Sequence, residues 1–344
     1  MPRLALPQLA LPRLALIVAG PTASGKSALA LELARRLDGV VINADSMQVY
    51  RELRILTARP APAEEAAVPH ALYGVRPAAE PGSAAWWRAA ALAAMDAARA
   101  SGRLPILCGG TGLYLQALTQ GLADIPDPSP AARMEARALL QEIGPTALHA
   151  RLAKVDPATA GTLRPSDGQR LARAWEVWRG TGRGLAAWHA DAPARPAWSF
   201  RMMLLDPPRD TLRYAIEKRF TAMLTAGAIQ EAAALLALRL DPALPALRAV
   251  GMPELAAYLR GEATLEEARR RAVLASGQYA KRQTTWFRRR AIVDPCATHT
   301  IHARFADTTQ FSESVWCGLM HFVRIAGGRG ASYDAPPGSL GETT

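Results

Sequence analysis

Eight residues near the start of the chain, Gly20-Pro21-Thr22-Ala23-Ser24-Gly25-Lys26-Ser27, have the spacing of a phosphate-binding loop. Its glycines let successive backbone N–H groups converge on an anion, and the helix that must follow adds the positive end of its dipole. Lys26 supplies a point charge, and the Ser27 hydroxyl is a hard ligand for hydrated Mg2+. The expected ligand is a phosphate or pyrophosphate; the loop alone does not say whether it is a nucleotide. Asp45 opens Asp45-Ser46-Met47-Gln48-Val49-Tyr50. A carboxylate near a bound phosphate can hold Mg2+ through water, act as a general base, or simply cap a helix. Arg213 and Arg219 share a helical stretch, where arginines either clamp a migrating phosphate or line a solvated face. Ser166-Asp167-Gly168-Gln169 fits a capping box with Ser166 at the N-cap and Gln169 at the third helical position. That places Arg170 and Arg173 on one helix face, which could meet RNA phosphates. Lys281 to Arg290 mixes cations with Trp286 and Phe287, a pattern that suits single-stranded nucleic acid or an amphipathic helix anchored by its aromatics.

The flanking elements must bring these groups together. Leu14–Ala19, Val40–Ala44, Leu104–Cys108 and Arg201–Leu205 read as buried parallel strands, ending at Gly20, Asp45, Gly109 and Asp206. Ala28–Ala34 reads as the helix after the loop, and Ala84–Ala100 as a helix closed by Gly102. This rhythm predicts an α/β fold, a P-loop NTPase-like parallel sheet flanked by helices. Ligands of such sheets sit outside the carboxyl ends of the strands, so the loop, Asp45 and Thr111 should converge. Pro126, Pro128 and Pro130 mark a linker into a stretch without strand-like runs, expected as an inserted all-helical domain over 122–199. The core then comprises 14–121 and 200–300, with helices over Asp210–Ala226, closed by Gly227, and Ala228 to about Leu240. Residues 1–13, broken by Pro2, Pro7 and Pro12, read as a disordered leader rather than a signal peptide, and 301–344 as a partly disordered tail.

Composition narrows the class. The 344 residues allow one large or two moderate domains, and half are hydrophobic, enough for an ordinary core. The net charge of +11 favours a polyanionic partner, although an arginine-rich codon bias gives the same signature. The three cysteines form no CxxC, which fits a reducing, cytoplasmic setting. Cys296, His299, His302, Cys317 and His321 lie close in sequence, but their spacing matches no usual zinc finger, and a helix over about 312–325 accounts for the last two. No segment is apolar enough for a membrane span.

Several motifs coincide with one family. The chain resembles bacterial tRNA dimethylallyltransferases through the loop at 20–27, Asn-Ala-Asp-Ser-Met-Gln-Val-Tyr at 43–50, Thr-Ala-Arg-Pro at 57–60 and Val-Pro-His at 68–70. Gly-Gly-Thr-Gly-Leu-Tyr-Leu at 109–115, Asp-Gly-Gln-Arg-Leu-Ala-Arg-Ala at 167–174, Val-Gly-Met-Pro-Glu at 250–254 and Tyr-Ala-Lys-Arg-Gln-Thr-Thr-Trp-Phe-Arg at 279–288 continue the series in order. The resemblance implies a monomer that transfers a dimethylallyl group from dimethylallyl diphosphate to N6 of the adenosine just 3′ of a tRNA anticodon, with Mg2+ as cofactor. It implies that Gly20, Pro21, Thr22, Ala23, Ser24, Gly25, Lys26 and Ser27 hold the donor's diphosphate, with Ser27 on the metal. Asp45 is then the base toward N6, Thr111 positions donor or N6, and Lys26 and Arg219 stabilise the leaving diphosphate. Ser46, Met47 and Gln48 would surround an adenine that has left its stack. Arg133, Gln169, Arg170, Leu171, Ala172, Arg173, Lys281, Arg282 and Arg288 would meet tRNA. Gly277, Gly251-Met252 and Thr57-Ala58-Arg59 depart from the commoner family residues. Two other readings stay open at this stage. One is an ATP-using small-molecule kinase with Asp206 as its metal aspartate; the other is an RNA-binding protein with a relic loop.

Overall fold

The computed structural model describes residues 13–191 and 195–324, so most of the leader and the last twenty residues, on which disorder was expected, lie outside the described residues. One compact unit takes the chain up to Thr119 and again from Ala197; Gln120–Pro196 form the other.

The first unit follows the expected alternation. Strand β1 (Leu14–Ala19) leads through the loop to α1 (Lys26–Leu37) and β2 (Gly39–Asn43). Then come α2 (Pro62–Ala67), β3 (His70–Ala71), α3 (Ala84–Ala100), β4 (Leu104–Gly109) and α4 (Gly112–Gln120). The second unit holds α5 (Pro130–Val155, broken at Gly144), α6 (Pro157–Ala160), α7 (Gly168–Thr181) and α8 (Leu185–Ala190). The chain returns with β5 (Ser199–Leu205), α9 (Arg209–Thr225), α10 (Ala228–Ala237), α11 (Met252–Leu259), α12 (Leu265–Arg289), β6 (Thr298–Ile301) and α13 (Glu313–Arg324).

Among the described residues the strands make one parallel sheet in the order β3-β2-β4-β1-β5-β6. β1 lies inside it, buried on both faces, as its unbroken apolar run requires. Its side chains alternate: Ala15, Ile17 and Ala19 join Trp87, Met95 and Leu118, whereas Leu16 and Val18 join Leu29, Leu33 and Trp316 on the other face. The chain goes from β1 to one side of the sheet and returns on the other with β5. The carboxyl end of β1 is therefore where a crevice opens.

Helix α12 is built to reach that crevice. Ala268, Ala272, Ser276, Ala280, Gln283 and Phe287 recur at three- and four-residue spacing and form its buried stripe. Thr264 caps its start, Glu266 and Glu267 lie in the first turn and Arg288 and Arg289 in the last, each charge matched to the helix dipole. Phe287, 7% exposed, is thus a core anchor, not a free stacking platform.

Three local readings change. Strands β3 and β6 escaped sequence reading because two and four residues are too few to show a period. The N-cap of α7 is Asp167 rather than Ser166: its carboxylate accepts from Arg170 N–H, which moves Gln169 to the second helical position and dissolves the capping box. Gly227 (φ +105°) sits one residue beyond the C-cap of α9 and opens α10. No single helix among the described residues is long and apolar enough to cross a membrane.

Two glycines should respond oppositely to alanine. At Gly109 a Cβ would lie 2.1 Å from the Ala44 carbonyl, so Gly109→Ala should cost about 2 kcal/mol or more. At Gly277, inside α12, a Cβ meets nothing within 4 Å, so Gly277→Ala should add about 0.5–1 kcal/mol. Urea unfolding of both variants checks the signs.

Candidate active site

The loop after β1 takes up backbone conformations that fit its residues. Gly20 and Gly25 have φ of +156° and +90°, and Ala23 joins them at +64°. Gly25 caps α1 without a side-chain bond, leaving the first N–H groups of that helix for a ligand. Ser24 is wholly buried, and its hydroxyl has no hydrogen-bond partner among the described residues. Ser27 is exposed in the first turn of α1, beside the buried Cys108 thiol, whose pKa burial pushes up to about 11.

Asp45 leaves β2 and is fixed from both sides. Its N–H donates to Asn43 Oδ1 (2.8 Å), and its Oδ1 accepts from Met47 N–H (2.9 Å). The second carboxylate oxygen accepts no hydrogen bond among the described residues. One oxygen therefore shapes the turn and the other remains available for chemistry. Asn43 is itself wholly buried and donates to Asp45 O and Leu72 O (3.0 and 3.1 Å), while its carbonyl takes the indole N–H of Trp87 (2.8 Å). Trp87 is stacked on Tyr114 at 4.6 Å. Thr111 Oγ1 accepts from Ser46 N–H (2.9 Å), tying the β4 loop to the β2 loop.

A cavity of about 270 Å3 lies against these groups. Thr22, Asp45, Ser46, Arg219, Tyr279 and Arg282 are the polar part of its lining, and Met47, Leu56, Ile216, Phe220, Met223 and Val250 the apolar part. Arg219 donates to Thr22 Oγ1 at 2.6 Å. Burial holds the Arg219 and Lys26 pKa values below their ordinary ranges, and the Asp45 carboxylate pulls both back up. Tyr279, beside Thr111 and Gln283, is pushed up by burial and then by Asp45, so it stays protonated and can donate. Among the described residues no carboxylate oxygen lies within 4.0 Å of a Lys26 or Arg219 nitrogen. An apolar pocket beside cations without counter-ions suits a small ligand with one greasy end and one anionic end.

The remaining candidates fall in several places. Arg213 is exposed and does not line the cavity, which leaves it on the solvated face of α9. Gln48 is turned inward, 8% exposed, with Nε2 donating to Thr57 O and Ala58 O (2.8 and 3.0 Å). Lys281 and Arg282 are exposed. Arg288 is exposed but holds both oxygens of Asp206, at 3.0 and 3.1 Å. That engagement removes Asp206 as a free metal ligand, one of the features on which the kinase reading rested. In the second unit, Gln169 and Arg170 are exposed, Ala172 and Arg173 are partly buried, and Arg173 pairs with Glu176. Arg133 pairs with Asp127 at 2.8 Å. Leu171, expected at an RNA surface, is instead wholly buried in the core of that unit with Leu148 and Leu152. Among the described residues no three His, Cys, Asp or Glu side chains converge as a metal site.

Sequence reading missed Gln283 as a positioning residue. Only 4% exposed, its Oε1 accepts from Thr22 N–H (2.7 Å) and its Nε2 donates to Gly110 O (2.9 Å). It lay inside a basic run, and only its place in the buried stripe of α12 distinguishes it. Arg248, at the cavity edge, has no such signal.

Residues 48–290 match the family model described as IPP transferase, and residues 12–71 the one described as isopentenyl transferase. The chain belongs to the IPP transferase family. Among its relatives, a tRNA dimethylallyltransferase of Granulibacter bethesdensis is 60% identical over 310 residues, covering 90% of this chain and 97% of that protein. One from Gluconobacter oxydans is 60% identical over 309 residues, covering 90% and 93%. The crystal structure of the full-length tRNA isopentenylpyrophosphate transferase of Bacillus halodurans is 34% identical, with a TM-score of 0.63 over 91% of this chain and 97% of that one.

Replacing Gln283 with Leu should leave Thr22 N–H and Gly110 O unpaired and destabilise the protein by about 1–3 kcal/mol for each group, read from urea unfolding. The cysteines give a second check. The native protein at pH 8 should take a maleimide at the exposed Cys296 and Cys317 and at Cys108 only after unfolding. The unfolded chain ionises this last thiol near 9.0 and the folded one near 11, so its contribution to stability should fall as pH rises through that window.

Proposed function

We propose that the chain transfers a dimethylallyl group from dimethylallyl diphosphate to N6 of the adenosine just 3′ of a tRNA anticodon, giving N6-isopentenyladenosine and diphosphate. The observation that carries this reading is the cavity itself, where Asp45, Arg219 and Thr22 share the lining with Leu56, Ile216 and Met223. A five-carbon prenyl chain fits against the apolar side chains, and its diphosphate meets the loop. The names of the relatives at 60% identity point the same way.

The N6 amine attacks C1 of the donor, the C1–O bond breaks, and both its electrons leave with the diphosphate. Asp45 takes the proton released from N6 through its unengaged oxygen. Lys26, Arg219 and the N–H groups at the start of α1 meet the charge that grows on the leaving oxygens. Thr111 and Tyr279 orient the amine. The exposed hydroxyl of Ser27 is a hard oxygen donor that fits Mg2+, and with no all-protein cage among the described residues the ion would keep waters and diphosphate oxygens as its other ligands. Bound there, Mg2+ would neutralise diphosphate charge.

Arg133, Gln169, Arg170 and Arg173 of the helical insertion, with Lys281 and Arg282 of α12, are the proposed tRNA contacts; the exposure of Gln169, Arg170, Lys281 and Arg282 and the charge of +11 support it. An exposed phosphate-facing arginine works by counter-ion release and needs no preformed pocket. We place the activity in a cytoplasmic monomer, in keeping with two exposed free thiols.

The test mixes protein, Mg2+, dimethylallyl diphosphate and an anticodon stem-loop with adenosine 3′ of the anticodon, then reads RNA mass. A gain of one dimethylallyl unit is expected. Asp45→Asn should slow transfer by about 10^2- to 10^4-fold while RNA binding persists. Undiminished transfer would remove Asp45 as the base, and ATP hydrolysis without prenyl transfer would revive the kinase reading.

A further inference from the structure

The segment after β6 runs along the phosphate loop, and the reaction as described gives it no role. Phe305 N–H donates to Ser24 O at 3.0 Å, and Arg304 Nε donates to Ala23 O at 3.1 Å. The two backbones come so close that a Cβ on Gly25 would lie 1.9 Å from Phe305 O. Phe305 is 1% exposed, with its ring 5.4 Å from Phe311 and 6.1 Å from Trp316. The strap is therefore anchored in the core on one side and hydrogen-bonded to the loop on the other.

Arg304 itself is only half-satisfied. Its Nε is spent on Ala23 O, but its two Nη groups make no hydrogen bond among the described residues, and no carboxylate oxygen lies within 4.0 Å. Arg219 grips the neighbouring residue, Thr22. The Arg304 charge bears on Arg219, adding to the effect of burial in lowering its pKa. Two guanidiniums thus hold adjacent residues of an anion-binding loop, with Lys26 three residues further on, and none has a carboxylate partner. Like charges gathered in a partly buried place are costly until an anion joins them.

We propose that Arg304 is a further cation of the diphosphate site, binding the leaving group with its free Nη donors alongside Lys26 and Arg219. The proposal rests on the diphosphate reading given above. As the C1–O bond breaks and its electron pair passes to diphosphate, the fixed guanidinium meets that charge with paired N–H donors and no proton changes hands.

The full-length chain is titrated with inorganic diphosphate by calorimetry, as wild type, Arg304→Gln and Arg304→Lys. The Gln variant keeps a donor long enough for Ala23 O and loses the charge together with the two Nη groups; Lys keeps the charge. Arg304→Gln should weaken diphosphate binding about 10- to 100-fold, with a shallower dependence of log Kd on log salt. Arg304→Lys should lose less, while melting temperature and stem-loop affinity stay at wild-type values in both. Wild-type diphosphate affinity in Arg304→Gln overturns the proposal. So does an equal loss in Gln and Lys accompanied by a fall in melting temperature, which marks a structural strap. If the wild-type chain binds the stem-loop but not diphosphate, the reading beneath the proposal falls with it.

Discussion

Lys26, Arg219 and Arg304 surround one loop, and no carboxylate pairs with any of them among the described residues. The rest of the site is arranged around this constraint. Like charges gathered in a partly buried place repel one another. Pairing each with an acid would relieve the repulsion and also remove their affinity for an anion. The fold leaves the charges without acid partners and holds the loop with hydrogen bonds to backbone and hydroxyl groups instead. Gln283 bridges Thr22 and Gly110, Phe305 N–H meets Ser24 O, and Arg219 donates to a hydroxyl. Each is worth about 1 kcal/mol net, but each would leave a buried group unpaired if lost, so together they fix geometry more than they add stability.

The same economy of charge governs the turn before Thr57. Glu231 of α10 binds backbone there, accepting from Arg54, Ile55 and Leu56 N–H at 2.7, 2.7 and 2.8 Å. It shapes the turn that carries Leu56 and Thr57 into the cavity, with Gln48 holding the next two carbonyls. Asp45 can thus remain the negative group that faces Lys26 and Arg219, and its influence on both is seen in the pKa values it raises. A carboxylate beside cations keeps an oxygen open to other partners only if it is not already locked in an ion pair.

Much of this was legible in the residues. The loop at 20–27 has a spacing few other structures need, and four strands of five or more residues show their apolar runs plainly. Those strands alone dictate that the loop, Asp45 and Thr111 share an edge. What escaped was either short or dependent on distant partners. Strands β3 and β6 are too brief to carry a period, and Arg304 sits in a stretch without a motif. Gln283 looks like any polar residue in a basic run until its place on the buried face of α12 is known. Leu171 reads as a neighbour of RNA-facing arginines by position along the chain, whereas helical geometry sends it a different way, into the core. Asp167 displaced Ser166 as the cap because both residue types cap well and adjacent positions compete.

The strap over the loop also bears on how the protein is made. Ala23 and Arg304, which meet through one hydrogen bond, are 281 residues apart in sequence. A ribosome delivers β1 and its loop early, but the residues that clamp Ala23 and Ser24 emerge only after the helical unit and β5. Contacts of such separation close late in folding. Until then the nascent chain carries a loop whose shape is unfinished, so the geometry of the loop would be complete only once the strap after β6 has been made, not with the motif that announces it.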